Sequence, residues 1–128
     1  MSPLLFCAAI HPILEKINRE FNLDINAWYM DDGNLLGNPE KLLKAWEILS
    51  SELPKIGLHL NPSKSEWITS SNINGPEGVP LTPKDELIIL GVSLGSKEFC
   101  LSFLDRIILS NSKIAEKLLN LDDSQISL

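Results

Sequence analysis

The ten residues AWYMDDGNLL, positions 27–36, place two adjacent carboxylates between two apolar runs. Asp32-Gly33 is a strong short-range hairpin signal, because glycine tolerates the positive φ of a tight turn. Residues 26–30 and 34–36 are therefore predicted as two short strands joined at Asp32-Gly33. Asp31 and Asp32 then have two readings. Aspartate is common beside glycine in hairpins, so the pair can be a solvated turn. Hard divalent cations such as Mg²⁺ take oxygen ligands and keep some waters, so one or two carboxylates plus substrate phosphates can also hold one. Turn chemistry alone leaves both readings open. Asp122-Asp123 is an equally acidic pair, but it stands before a candidate helix cap at Ser124, where capping explains it.

Outward from the hairpin, helices are predicted on both sides. Ser2 suits an N-cap and Pro3 the first helical position. Phe6, Ile10, Ile13, Leu14, Ile17 and Phe21 recur at helical spacing, which predicts a helix over 3–20, kinked at Pro12. Asn38-Pro39 opens a second helix with Leu42, Leu43, Trp46, Leu49 and Leu53 on its apolar stripe, and Pro54 and Gly57 end it. GLHLN, residues 57–61, alternates like a strand, and a further short strand is expected at 66–69. Residues 70–85 are rich in Ser, Asn, Gly and Pro and read as a loop. Residues 86–95 read as one strand, turned by Gly95-Ser96 into a partner at 98–101. A last helix is expected over 103–121, with Leu104, Ile107, Ile108, Ala115, Leu118 and Leu121 on its inner side.

Composition narrows the function classes. The protein has 128 residues, enough for one domain, with 44% hydrophobic residues and a net charge of −6 from 11 basic and 17 acidic residues. That balance is a poor footprint for a stand-alone nucleic-acid binder. Cys7 and Cys100 have no cysteine or histidine at ligand spacing, which argues against zinc and for a reduced, intracellular setting. No apolar run reaches the ~20 residues of a membrane span, and the first ten residues lack the basic region of a signal peptide. His11 and His59 are lone histidines without converging partners. Trp46 falls on the helix stripe and is expected in the core. Trp28 alternates with Tyr29, so one of the two faces inward.

The order of the blocks resembles the reverse transcriptases of retroelements, in particular those of the non-long-terminal-repeat kind. Ser2-Pro3-Leu4-Leu5-Phe6 look like the end of that family's motif B. Tyr29-Met30-Asp31-Asp32 look like motif C, the Y-x-D-D signature. Gly57-Leu58-His59-Leu60-Asn61 with Lys64 look like motif D, and Leu90-Gly91-Val92 like motif E, the primer grip. The resemblance covers nearly the whole sequence.

It implies an α+β fold. This would be a partial polymerase palm, a ferredoxin-like remnant of α-β-β-α-β plus a β-hairpin over 1–101. One thumb-like helix would start in 102–128. It also implies RNA-directed DNA synthesis with two Mg²⁺ ions (Mn²⁺ as a substitute), an RNA template, a DNA primer and deoxynucleotides. Asp31 would be the main metal ligand and Asp32 a lesser one. Tyr29 and Met30 would lie against the primer end. Lys64 would be the acid that protonates the leaving pyrophosphate, and Leu90 and Gly91 would meet the primer.

The family's third carboxylate, on motif A, precedes motif B, and the Gln and Gly expected before Ser2 are replaced by Met1. The protein is therefore expected to be a fragment, inactive alone, with one apolar strand edge exposed. Two other classes stay open. One is an interaction module that pairs or self-associates through that edge. The other is another palm-like, metal-dependent phosphotransfer domain.

Overall fold

A computed structural model describes residues 2–120. The expected positions Met1, Leu121, Asp122, Asp123 and Ser124 lie outside the described residues. The elements are α1 (Pro3–Phe21), β1 (Ile25–Tyr29), β2 (Asp32–Leu36), α2 (Pro39–Glu52), β3 (Glu86–Ile89), β4 (Val92–Gly95) and α3 (Lys97–Leu119). The fold is α+β, as expected, with three helices and two small antiparallel sheets among the described residues. It divides into two units between Pro83 and Lys84.

In the first unit, α1 and α2 form the core. Ile10, Ile13 and Ile17 recur at helical spacing on α1 and are buried, with Ile17 fully enclosed. Ala45, Leu49 and Leu53 do the same from α2 and the 3₁₀ turn that follows it. Leu42, Leu43 and Trp46 of the expected stripe are only half-buried. The close-packed face is centred one residue away from Trp46, on the small Ala45, because a methyl lets two helices approach where an indole would hold them apart. α1 continues through Pro12, whose missing N–H leaves the Ala8 carbonyl without its helical donor on the exposed side. Asn22, in left-handed conformation, ends α1. Gly57 at φ +79° closes the 3₁₀ turn Leu53–Ile56 after α2. Asn38 caps α2 by accepting from the Glu40 amide at 2.9 Å, and Pro39 follows at the first helical position.

A polar link joins the two helices at their far ends. Glu52 accepts from Lys55 at 2.8 Å and from Lys16 of α1 at 3.3 Å. The Lys55 hydrogen bond, then that of Lys16, hold its carboxyl below the ordinary value of 4.5. A depressed carboxylate stabilises the fold at pH above its unfolded value, and that contribution is lost as pH falls through the folded one. Glu52→Gln should therefore lower the neutral plateau slightly, leave stability well below about pH 4.5 nearly unchanged, and so flatten the acid limb between them, as followed by urea unfolding at stepped pH.

Three expected strands are absent. Residues 57–61 carry no ladder; the left-handed Gly57 and a 3₁₀ turn at Pro62–Lys64 break the alternation there. At 66–69 there is only an isolated parallel bridge, Trp67 to Leu81. The segment expected to pair at 98–101 is the first turn of α3: Ser96 caps that helix by accepting from the Phe99 amide at 3.2 Å. The expected single strand over 86–95 is itself a hairpin in the second unit. Ile89 pairs with Val92, and Leu90 at φ +48° and Gly91 at φ +79° form its two-residue turn. Positive φ at both central positions is the type I′ pattern, whose twist matches the flanking strands. α3 packs its first turns on β4, with Phe99 and Phe103 rings 6.5 Å apart and the Arg106 guanidinium 5.6 Å from the Phe103 ring centre. Among the described residues, no helix is long and apolar enough to cross a membrane.

Candidate functional site

The β1–β2 hairpin carries the paired carboxylates. Its register runs from Ile25 opposite Leu36 to Tyr29 opposite Asp32. The turn is therefore Met30-Asp31, two residues before the expected Asp32-Gly33 pair. Met30 has φ +55° and Asp31 does not share the left-handed region, which is the pattern of a type II′ turn. A left-handed methionine is uncommon and costs on the order of 1–3 kcal/mol, so the surrounding strands must hold it.

Gly33 serves a different end. It lies opposite Trp28, and a Cβ built there would stand 2.6 Å from the ring atoms Cη2 and Cζ2 of that tryptophan. The absence of a Cβ lets the indole fold across the strand pair. The indole Nε1 donates to Asn26 Oδ1 at 2.9 Å. Asn26 Nδ2 in turn donates to the Leu14 carbonyl and to Asn18 Oδ1 on α1, at 3.3 and 2.8 Å. Trp28 is thus the inward member of the Trp28–Tyr29 pair, and Tyr29 stays 67% exposed. Asn26 fastens the hairpin to α1. Its only trace in the sequence is that Asn26 and Trp28, two apart on a strand, share a face. Gly33→Ala should displace the indole and cost about 1–3 kcal/mol, an overpacking penalty. Thermal unfolding checks the loss, and a changed near-ultraviolet dichroism band checks that the indole has moved.

Asp31 stands at the second central position of the turn and Asp32 at the first position of β2. Both are exposed and make no ion pair among the described residues. Their oxygens are free, and their hardness suits Mg²⁺ or Mn²⁺. Among the described residues, no three His, Cys, Asp or Glu residues converge as a metal cluster, and the pair by itself offers fewer oxygen donors than a full coordination shell. Met30 and Trp28 also border a hollow of about 190 Å³ against α1, where Phe6, Cys7, Ile10 and Leu14 form the opposite wall. The helix that Ser2 and Pro3 begin is thereby brought beside the turn. The hydroxyl of its N-cap Ser2 makes no capping bond.

Of the remaining site positions, Lys64 belongs to the first unit and Leu90 and Gly91 to the second. Lys64 ends the 3₁₀ turn Pro62–Lys64, is exposed, and does not line that hollow. Leu90 and Gly91 sit at the tip of the β3–β4 hairpin in the second unit, and both are exposed. His11 meets Glu15 at 3.7 Å one helical turn on, a surface pair.

Comparison with known proteins follows the same residues. Positions 1–94, which include α1, both hairpin strands around Asp31 and the Leu90-Gly91 turn, match a family described as reverse transcriptase (RNA-dependent DNA polymerase). No curated protein and no solved structure matches the sequence.

Proposed function

The protein belongs to the reverse transcriptase family, and from that membership we propose that the Met30-Asp31 turn is the metal-binding tip of a polymerase palm. The observation that carries this reading is the placing of two free, exposed carboxylates at a hairpin bend inside the matched region. Asp31 is the principal ligand and Asp32 the lesser one. When bound, Mg²⁺ supplies charge that stabilises the attacking 3′-oxygen of a primer and the departing pyrophosphate. Tyr29, largely exposed beside the turn, and Met30, held by its backbone, meet the primer end. Lys64 protonates the leaving pyrophosphate, for which an exposed lysine on a short rigid turn is suited. Leu90 and Gly91 at the second hairpin tip contact the primer backbone. We assign 1–101 to the palm and 102–128 to the start of a thumb, although α3 already begins at Lys97. The block order, with its LGV element, supports a non-long-terminal-repeat retroelement as the parent type.

Two carboxylates supply fewer oxygens than a pair of ions requires, and positioning is most of what such an enzyme contributes. Residues 1–128 alone are therefore expected not to extend a primer. The test is a primer-extension assay on the purified protein with an RNA template, a DNA primer, deoxynucleotides and Mg²⁺. Background-level synthesis agrees with this reading. Templated synthesis that vanishes in Asp31→Asn would overturn the incompetence and keep the metal assignment.

A second reading has one observation in its favour. The β1–β2 sheet has only two strands, and its apolar Ile25 and Leu36 are exposed, so its outer edges are open to a strand from another protein. Concentration-dependent dimerisation without metal binding would favour that interaction role.

A further inference from the structure

The loop between the Lys64 turn and β3 holds the single Asn-Gly pair of the sequence, Asn74-Gly75. We propose that Asn74 is a site of spontaneous deamidation, and that conversion there to isoaspartate releases Trp67 from its seat.

The geometry around Asn74 favours the reaction. Asn74 is exposed, its carboxamide has no hydrogen-bond partner among the described residues, and it lies in no helix or strand. Asparagine is among the thermolabile residues, and a following glycine removes the Cβ that would obstruct ring closure. The Gly75 amide is likewise free of the backbone hydrogen bonds that hold this loop, which run from Trp67 to Pro80, from Thr82 to Trp67 and from Val79 to Pro76. An open hollow of about 360 Å³, lined by Ser71, Asn72, Asn74 and Gly75 among others, gives water access. In the step itself, the Gly75 backbone nitrogen loses its proton and attacks Asn74 Cγ. The Cγ–Nδ2 bond breaks and ammonia leaves. Water then opens the five-membered succinimide at one of its two carbonyls, giving aspartate or isoaspartate. Asp32-Gly33 has the related sequence, but there the glycine is held in the β1–β2 ladder.

The consequence follows from what flanks Asn74. On one side, the Ile73 carbonyl accepts the indole N–H of Trp67 at 3.2 Å. On the other, Gly75 is seated on the same ring so closely that a Cβ would stand 2.6 Å from Trp67 Cγ. Among the described residues, Trp67 is the one buried residue outside the α1–α2 cluster, and its backbone makes the bridge to Leu81. Isoaspartate inserts one extra backbone carbon between two contacts to a single ring. Both contacts cannot then be kept in register.

The experiment incubates the purified protein at mildly alkaline pH, with peptide mapping by mass spectrometry and tryptophan fluorescence at each time point. The expected result is that Asn74 converts before any other asparagine, mostly to isoaspartate. The emission should shift to the red in step with conversion. Asn74→Gln should lose both changes. Asn74→Asp adds the charge without lengthening the backbone and should keep the unshifted emission. Three results would overturn the proposal: earlier conversion of another asparagine, conversion with unchanged emission, or a shift in fresh Asn74→Asp as large as that of the aged protein.

Discussion

Asp31→Ala is expected to weaken Mn²⁺ binding by at least about tenfold, and Asp32→Ala by less, since even the groups behind a metal ligand are worth about that much. The difference follows from the register. Asp31 is a central residue of the turn, free of a cross-strand neighbour, whereas Asp32 is already paired across the sheet with Tyr29. Successive residues on a strand point to opposite faces, so only the bend allows the two carboxylates to share an ion at all, and the one nearer the tip has the freer approach. A hard cation held by few protein oxygens depends strongly on each of them. Asp105→Ala, on α3, is the control and should change nothing. Titration of Mn²⁺ followed by electron paramagnetic resonance reads the free ion directly. Equal effects of the two substitutions, or none, would return both residues to the role of a solvated turn.

Ile17→Ala should be the most destabilising single truncation in the first unit, at about 2–5 kcal/mol. Ile17 is fully buried, where α1 meets α2, in a cluster with Ile10, Ile13, Ala45, Leu49 and Leu53, against which half-buried residues such as Phe6, Leu14, Phe21 and Ile48 pack. Folded domains hold only about 5–15 kcal/mol in total, so the variant sits near its unfolding midpoint at modest temperature. The expected drop in melting temperature is roughly 10 °C or more, read by far-ultraviolet dichroism. Leu5→Ala, at a position 62% exposed on the same helix, should shift it little. A melting temperature for Ile17→Ala within the error of the parent would contradict the assigned core.

The parts of this fold that were legible in the sequence are those set by local periodicity. The α1 stripe of Ile10, Ile13 and Ile17 was plain, because three branched residues at helical spacing can face one way only in a helix. The caps at Asn38 and Gly57 were plain for the same local reason. Turns were harder wherever a residue adopts a conformation its type disfavours. Asp32-Gly33 looked like the β1–β2 turn because glycine takes positive φ most cheaply. The hairpin instead puts Met30 there and uses the glycine to seat Trp28. Leu90 misled in the same way, since an apolar residue with φ +48° gives no turn signal and joins β3 to β4 in an apparent single run. Ser96 did carry a cap signal, which the preceding Gly95 obscured by suggesting a hairpin.

For the site, the acidic pair was visible and its position at the tip was not. The fastening of the hairpin to α1 by Asn26 depends on contacts between residues far apart in sequence, and no local pattern reports it.

The most direct measurement of the central claim is paramagnetic broadening of the protein's amide resonances by substoichiometric Mn²⁺. If the Met30-Asp31 bend holds the ion, the first signals to vanish are those of residues 29–33, and Asp31→Ala restores them. Broadening that instead spreads evenly over acidic residues of both units, or begins on α3, would contradict it.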